Sequence, residues 1–290
     1  MLSQENILEL NTTGYLLIKN FLDEETLQKF KSIYKFLEKD VVEQHYKSIK
    51  LSDFKSIYTW AETDLLRNKN KRYLHKLRQV LWHTDFGKKF IMDLTKSMQL
   101  INPNYYFWKD KYMVQPPGAN GYLPHQDNDA DLSGLVRKAG CTLSIAFTPT
   151  TEETGCLWIE NGPKRYKNLE LCSANGCGIG SRLKKDKNQR CFCHKTVIKS
   201  SAMKSYNGYE MKPIPMNPGD CLFFDGWQLH GTALNTGKNL RKSLLFIFLE
   251  PKSEYLKDWS YEYHRKKWGT YSLNIKKIQE IGNEMYQSRM

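Results

Sequence analysis

Cys221-Leu222-Phe223-Phe224-Asp225-Gly226-Trp227-Gln228-Leu229-His230-Gly231-Thr232 is the stretch on which the fold turns. Its first four residues are apolar without interruption, too few for a helix, and follow the turn formers Pro218-Gly219-Asp220, so they read as a buried strand. Runs of the same texture occupy residues 105–114, 141–147, 156–159 and 240–249, with Pro116-Pro117-Gly118 and Asn161-Gly162-Pro163 as breakers between them. Several short strands punctuated in this way favour a β-sandwich or barrel over a doubly wound sheet.

Outward from this β-rich middle the character changes. Residues 1–104 read mainly as a helical buttress: Leu27, Phe30, Ile33, Tyr34 and Leu37 recur at helical spacing after Asp23-Glu24-Glu25, and further helices are expected over residues 74–81 and 90–100. One short apolar strand, Gly14-Tyr15-Leu16-Leu17-Ile18, precedes them. Residues 164–215 form a basic, cysteine-bearing insertion too long for an ordinary connection, expected to be a lid, a metal-bound knuckle or a mobile excursion. Residues 251–290 return to helical character, with aromatics such as Trp259 and Trp268 expected to pack on the core. The whole is expected to be a single domain of 290 residues with no internal repeat.

Composition narrows the class. An aromatic content of 13% is too high for a disordered chain, and no apolar stretch is long enough to cross a bilayer. Forty-four basic residues against 31 acidic ones give a net charge of +13, which suits an anionic partner without naming it. Seven cysteines with no export signal point to a reducing compartment, and a cytoplasmic protein is expected.

The chemistry concentrates in Pro124-His125-Gln126-Asp127 and in His230, about a hundred residues later. On an extended backbone residues two apart share a face, so His125 and Asp127 can offer an imidazole and a carboxylate to one metal ion, and His230 can arrive on its own strand as the third ligand. Two histidines and a carboxylate on one face of an octahedron leave open positions, the arrangement that non-haem Fe(II) oxygenases use. Arg241 follows His230 by eleven residues, across the turn-prone Asn235-Thr236-Gly237. A hairpin there would set Arg241 opposite His230, where its guanidinium and the Thr232 hydroxyl could grip the far carboxylate of a co-substrate.

The chain resembles the phytanoyl-CoA dioxygenase-like branch of the Fe(II)/2-oxoglutarate-dependent oxygenases. The likeness runs through Gly14-Tyr15-Leu16-Leu17-Ile18-Lys19-Asn20-Phe21-Leu22, Gln115-Pro116-Pro117-Gly118, His125-Gln126-Asp127 and Thr154-Gly155-Cys156-Leu157-Trp158-Ile159, to Pro218-Gly219-Asp220, His230 and Arg241. It implies a double-stranded β-helix, or jelly roll, over residues 105–250. It also implies Fe(II), 2-oxoglutarate and O₂ as cofactors, with His125, Asp127 and His230 as iron ligands and catalytic centre. Arg241 and Thr232 take the place that holds the 2-oxoglutarate tail. Gln115 and Tyr112 are candidates for the near end of that molecule. Halogenases of this group lack the carboxylate ligand, so Asp127 points to hydroxylation. Asn161-Gly162-Pro163-Lys164 departs from the usual Pro-Gly-Ser-His turn, and Thr154 stands where Asn is common; both concern loops, not the iron site.

The implied activity is hydroxylation of an unactivated C–H bond in an anionic small molecule, lipid or sugar, with release of succinate and CO₂. A non-catalytic or nucleic-acid-binding barrel with a zinc-stabilised basic loop is the alternative, and the mixed basic and aromatic residues 257–268 are a poor nucleic-acid signal. The zinc reading rests on Cys172, Cys177, Cys191 and Cys193, within twenty-two residues of each other, with free thiols or a disulfide as the other outcomes. Cys141, Cys156 and Cys221 sit in strand runs and are read as small core residues. The run from Arg182 to Arg190 is a solvated basic loop or a rim that meets an anionic substrate, and Asn128, Asp129 and Asp131 are read as a solvated acidic loop.

Overall fold

A computed structural model describes residues 2–45, 61–66, 71–78, 80–81, 84–127, 136–162, 181–182, 199–206 and 208–251. Helix α1 (Gln4–Thr13) begins with a capping box in which the Ser3 hydroxyl accepts from the Asn6 N–H and the Asn6 side chain accepts from the Ser3 N–H. It stops at Gly14, whose φ of 81° is left-handed and turns the chain directly into β1 (Tyr15–Ile18). Next come α2 (Glu24–His45), β2 (Ala61–Leu66), β3 (Lys71–Arg78) and α3 (Asp85–Gln99), the last capped by the Thr84 hydroxyl accepting from the Gly87 N–H.

The remaining strands are β4 (Tyr106–Gln115), β5 (His125–Gln126), β6 (Val136–Ala146), β7 (Leu157–Glu160) and β8 (Ser181–Arg182). After the short helix α4 (Ser200–Met203) follow β9 (Ser205–Tyr206), β10 (Tyr209–Ile214), β11 (Cys221–Asp225), β12 (His230–Thr232) and β13 (Arg241–Pro251). They form a seven-stranded sheet in the order β1-β11-β6-β13-β4-β3-β2 and a six-stranded sheet in the order β8-β5-β12-β7-β10-β9. Every pairing is antiparallel. The two sheets curl towards each other as a jelly roll.

Three apolar layers follow from the alternation of side chains along these strands. Between the sheets, Ala146, Leu222 and Phe224 of the larger sheet meet Leu157, Ile159 and Ile214 of the smaller one. Outside the larger sheet, Leu143, Ile145, Phe223, Phe246 and Phe248 pack against Leu27, Phe30, Ile91 and Leu94 of the helices. Outside the smaller sheet, Cys156, Trp158 and Leu229 are covered by Met203 of α4 and by Met211. Among the described residues no helix is long and apolar enough to cross a membrane.

The amino-terminal region differs from its expected helical character. Residues 71–78 are strand, not the start of a helix over 74–81, and with β2 they extend the larger sheet past β4. Leu74 and Leu77 both reach the helix-facing core, and a spacing of three imitates a helix. The register of β3 slips at this point: Lys76 pairs with Glu62 and Leu74 with Thr63, which leaves His75 as an extra residue and shifts the alternation by one. The insertion is also shorter than expected at its carboxy-terminal end. Residues 209–214 belong to the small sheet, with β10 pairing β7 from Met211–Glu160 to Ile214–Leu157. Within the insertion, β8 adds to the edge of the small sheet and brings the Arg182 backbone opposite His125.

Candidate active site

β5 and β12 are neighbours in the small sheet, and His230 pairs directly with His125 across the ladder. Both side chains therefore leave the sheet on its inner face, with ring centroids 4.4 Å apart. Asp127 follows β5 immediately, and ligand atoms of His125, Asp127 and His230 all lie within 4.8 Å of one another. Nε2 of His125 is 3.6 Å from Oδ1 of Asp127, and Nε2 of His230 is 3.8 Å from Oδ2.

The groups around these three side chains prepare them for a metal. Nδ1 of His125 lies 2.7 Å from the Leu123 carbonyl, and Nδ1 of His230 lies 2.9 Å from the Gln228 carbonyl. A carbonyl only accepts, so each Nδ1 carries the hydrogen and each Nε2 keeps its lone pair for a metal ion shared with Asp127. Burial, reinforced by His125, lowers His230 to about 4 and keeps that ring neutral. Burial would raise the Asp127 carboxyl, yet the protonated forms of the facing His230 and His125 and the Lys111 ammonium hold it well below the usual carboxylate range, so it ionises before the His230 ring gives up its charge. The Thr142 hydroxyl of β6 donates to Asp127 Oδ2 at 3.2 Å and fixes its plane. Phe224, 4.5 Å from the His230 ring, walls one side. A neutral imidazole, an ionised carboxylate and a second tethered imidazole, converging without a bridging residue, fit an Fe(II) ion.

Arg241 does not stand opposite His230 in a hairpin. β12 belongs to the small sheet and β13 to the large one, so residues 233–240 cross between sheets, and Arg241 pairs with Gln115 of β4 instead. Asn235 lies in this crossing, donating its side-chain N–H to the Gln115 and Asn239 carbonyls, so the predicted turn residues serve a sheet change. Arg241 nevertheless lies buried between the sheets. Its Nη1 donates to Gln115 Oε1 at 2.8 Å and to the Gly155 carbonyl at 2.7 Å, while its Nε is buried without a hydrogen-bond partner. A buried orphaned donor costs about 1–3 kcal/mol. A carboxylate is the acceptor that would relieve it, so the guanidinium fits the tail of 2-oxoglutarate. Gly155, at φ 77°, can carry that carbonyl because a Cβ there would lie 2.5 Å from the Ala233 oxygen.

The other expected residues divide. Thr232 is buried on β12, and its hydroxyl accepts from the Tyr122 N–H at 2.8 Å. Gln115 acts as a clamp, with Nε2 donating to the Ala233 carbonyl at 2.9 Å while Oε1 accepts from Arg241. Tyr112 points the other way: its ring stacks on Tyr34 at 4.2 Å and its hydroxyl donates to Glu38, so it faces the helices and is no candidate for contact with 2-oxoglutarate. Cys141, Cys156 and Cys221 are buried free thiols. Cys172, Cys177, Cys191 and Cys193, the acidic residues 128–131 and the aromatic segment 252–290 lie outside the described residues.

Several groups at the site escaped the sequence reading. Tyr122 has its ring 6.4 Å from that of His125, its hydroxyl against His75 Nε2 and an electrostatic link to Arg241, so it spans the two halves of the site. Lys109 and Lys111 project inward from β4, where their charges reach Asp127. The available signal was Trp108-Lys109-Asp110-Lys111-Tyr112: charges in the middle of an otherwise apolar strand mark a face that is not simply core.

Comparison with known proteins agrees with this geometry. The family model described as phytanoyl-CoA dioxygenase (PhyH) matches residues 10–243. A 2-aminoethylphosphonate dioxygenase from uncultured bacterium HF130_AEPn_1 is 24% identical over 165 residues, 55% of this chain and 53% of that protein. A methylphosphonate hydroxylase from Gimesia maris is 28% identical over 141 residues, 49% of this chain and 44% of that protein. The chain thus spans about half the length of these curated relatives. EvdO2 from Micromonospora carbonacea var. aurantiaca, solved with 2-oxoglutarate, superposes with a TM-score of 0.55 at 13% identity, covering 87% of this chain and 93% of that one. With a family match that takes in both halves of the His-Asp-His cluster and Arg241, the chain belongs to the phytanoyl-CoA dioxygenase (PhyH) family.

Proposed function

We propose that this chain is an Fe(II)/2-oxoglutarate-dependent dioxygenase that hydroxylates an unactivated C–H bond of an anionic small molecule. The observation that carries the proposal is the convergence of His125, Asp127 and His230 within 4.8 Å on the inner wall of the barrel, with both Nδ1 atoms already committed to carbonyls. When bound, ferrous iron with 2-oxoglutarate supplies the redox chemistry, in which O₂ is reduced while 2-oxoglutarate loses CO₂ to become succinate and the substrate C–H becomes C–OH.

The chain's own residues then have distinct tasks. His125, His230 and Asp127 hold the metal on one face and leave the others open. Thr142 keeps the carboxylate from rotating. Arg241, fixed by Gln115 and Gly155, receives the far carboxylate of 2-oxoglutarate, and the buried hydroxyl of Thr232 is offered as a further donor to it. Phe224 and Ile159 line the inner wall beside His230 and exclude water there. An anionic substrate is supported by the +13 charge and by relatives named for phosphonates. A reducing setting, the cytoplasm, suits the buried free thiols.

The test is succinate release from 2-oxoglutarate by the full chain with Fe(II) under air, with methylphosphonate and 2-aminoethylphosphonate as trial substrates. Stimulated release that disappears in His230→Ala supports the proposal. Equal release by wild type and His230→Ala refutes it.

A further inference from the structure

Residues 118–122, between β4 and β5, run alongside the crossing from β12 to β13. The Gly118 N–H donates to the Asn235 carbonyl at 2.8 Å, and the Asn235 N–H donates to the Ala119 carbonyl at 3.0 Å. At the other end of this segment the Thr232 N–H donates to the Tyr122 carbonyl and the Tyr122 N–H donates to the Thr232 hydroxyl oxygen, both at 2.8 Å. The backbone of Tyr122 is thus fixed to β12 at the residue two beyond His230. Because the Thr232 oxygen accepts from Tyr122, its own hydrogen remains to be donated elsewhere.

From there the half-buried side chain of Tyr122 reaches the larger sheet. Its hydroxyl meets Nε2 of His75, the two rings stack with centroids 5.6 Å apart, and the Lys76 ammonium lies 5.3 Å from the tyrosine ring. His75 is the extra residue of β3, and the slip in that strand lets its imidazole reach a partner outside its own sheet. The Tyr122 ring is 6.4 Å from that of His125, and its hydroxyl is within electrostatic reach of Arg241. The residue therefore reaches both ends of the interval that 2-oxoglutarate has to span. A carboxylate has about four lone-pair sites, of which one edge of a guanidinium satisfies two. Arg241 has already committed Nη1 to Gln115 and Gly155, which leaves the side that carries Nε. In a buried site the remaining carboxylate lone pairs need other donors. A phenol has one hydrogen, and an imidazole nitrogen donates or accepts according to its tautomer. Facing a carboxylate, the Tyr122 hydroxyl gives its hydrogen to the charged oxygen while Nε2 of His75 donates to the phenol oxygen, so both bonds are kept.

We propose that Tyr122, its hydroxyl supported by His75, binds the tail carboxylate of 2-oxoglutarate together with Arg241 and Thr232. This deepens the function proposed above and rests on it for the identity of the co-substrate, but its test reads binding and not turnover. The full chain, held without oxygen with Fe(II), is titrated calorimetrically with 2-oxoglutarate and with 2-oxopentanoate, which keeps the keto acid and carries a methyl group where the tail carboxylate stands. The visible absorption of the iron complex is followed in the same samples.

Tyr122→Phe should weaken 2-oxoglutarate about tenfold or more, the loss of one hydrogen bond to a charged group, and leave 2-oxopentanoate within about twofold of the wild type. His75→Leu removes the support from the other side and should weaken 2-oxoglutarate in the same selective way. His75→Gln, whose side-chain N–H can donate to the same phenol oxygen, should stay within a few-fold of the wild type. A tyrosine that only ties the two sheets together would instead lower the melting temperature and weaken both acids alike. The proposal is overturned by that result, or by unchanged 2-oxoglutarate affinity in Tyr122→Phe while the iron absorption forms normally. Absence of both the absorption and 2-oxoglutarate binding in the wild type removes this subsite together with the function. Tyr122-dependent selectivity for the tail carboxylate without the iron absorption would uphold the subsite and remove the dioxygenase function.

Discussion

On the helix-facing side of β4, Tyr112 stacks on Tyr34 and Asp110 accepts from the Tyr34 hydroxyl and the Val80 N–H. On the barrel-facing side of the same strand, Lys109 and Lys111 stand beside Asp127, and Gln115 clamps Arg241. One peptide strand thus serves a closed aromatic core on one face and a charged, half-buried interior on the other, separated only by the alternation of its side chains. The difference teaches that stability and chemistry can be perturbed independently here. Substitutions on the helix side should change unfolding and spare ligand binding, and those on the barrel side should do the reverse.

The largest expected departure is at Phe30 of α2, which contacts Phe86, Phe90, Phe147 and Phe246. Phe30→Ala should cost about 3–5 kcal/mol in urea unfolding. Protein that remains folded should bind 2-oxoglutarate with unchanged affinity, and a matching loss of affinity would break the separation. Asp110 sharpens the same side by pH. Burial raises its carboxyl to about 6, against the pull of Val80 and Tyr34, so the native state holds a proton that the unfolded chain releases near pH 4. Its contribution is complete below about pH 4 and falls by about 3 kcal/mol as pH rises through 6. Asp110→Asn should flatten that part of the stability profile, and identical slopes in the two proteins would contradict it.

The barrel side should answer in ligand affinity. Arg241→Ala should raise the 2-oxoglutarate requirement about a hundredfold, because a buried charge loses its partner, with little change in iron binding. An unchanged requirement would move the anchor elsewhere. Thr142→Val removes only the hydroxyl that orients Asp127, so Fe(II) affinity should fall about tenfold while melting stays near that of the wild type.

The parts of this fold that could be read from the sequence are those in which local pattern and final position agree. The strand run ending at Phe224, the pair His125 and Asp127 two residues apart, and the distal His230 all satisfy simple alternation, and they come together. Departures occur where one extra residue changes the parity. The slip at His75 makes Leu74 and Leu77 look helical, and the slip at Trp108 changes the alternation where Lys109 turns inward. Tyr112 and Gln115 lie on one strand, three residues apart, and so face opposite sides, which only a fixed sheet reveals. The exchange of sheets between Thr232 and Arg241 depends on which strands neighbour each other, and no turn signal carries that information.

The central claim is that three side chains from two distant segments hold one ferrous ion with positions left open for 2-oxoglutarate. Anaerobic addition of Fe(II) and 2-oxoglutarate to the full chain should produce a weak visible charge-transfer absorption, which His125→Ala, Asp127→Ala and His230→Ala should each abolish or strongly diminish while remaining folded. Absence of that absorption in the wild type, or its full retention in all three variants, would contradict the account.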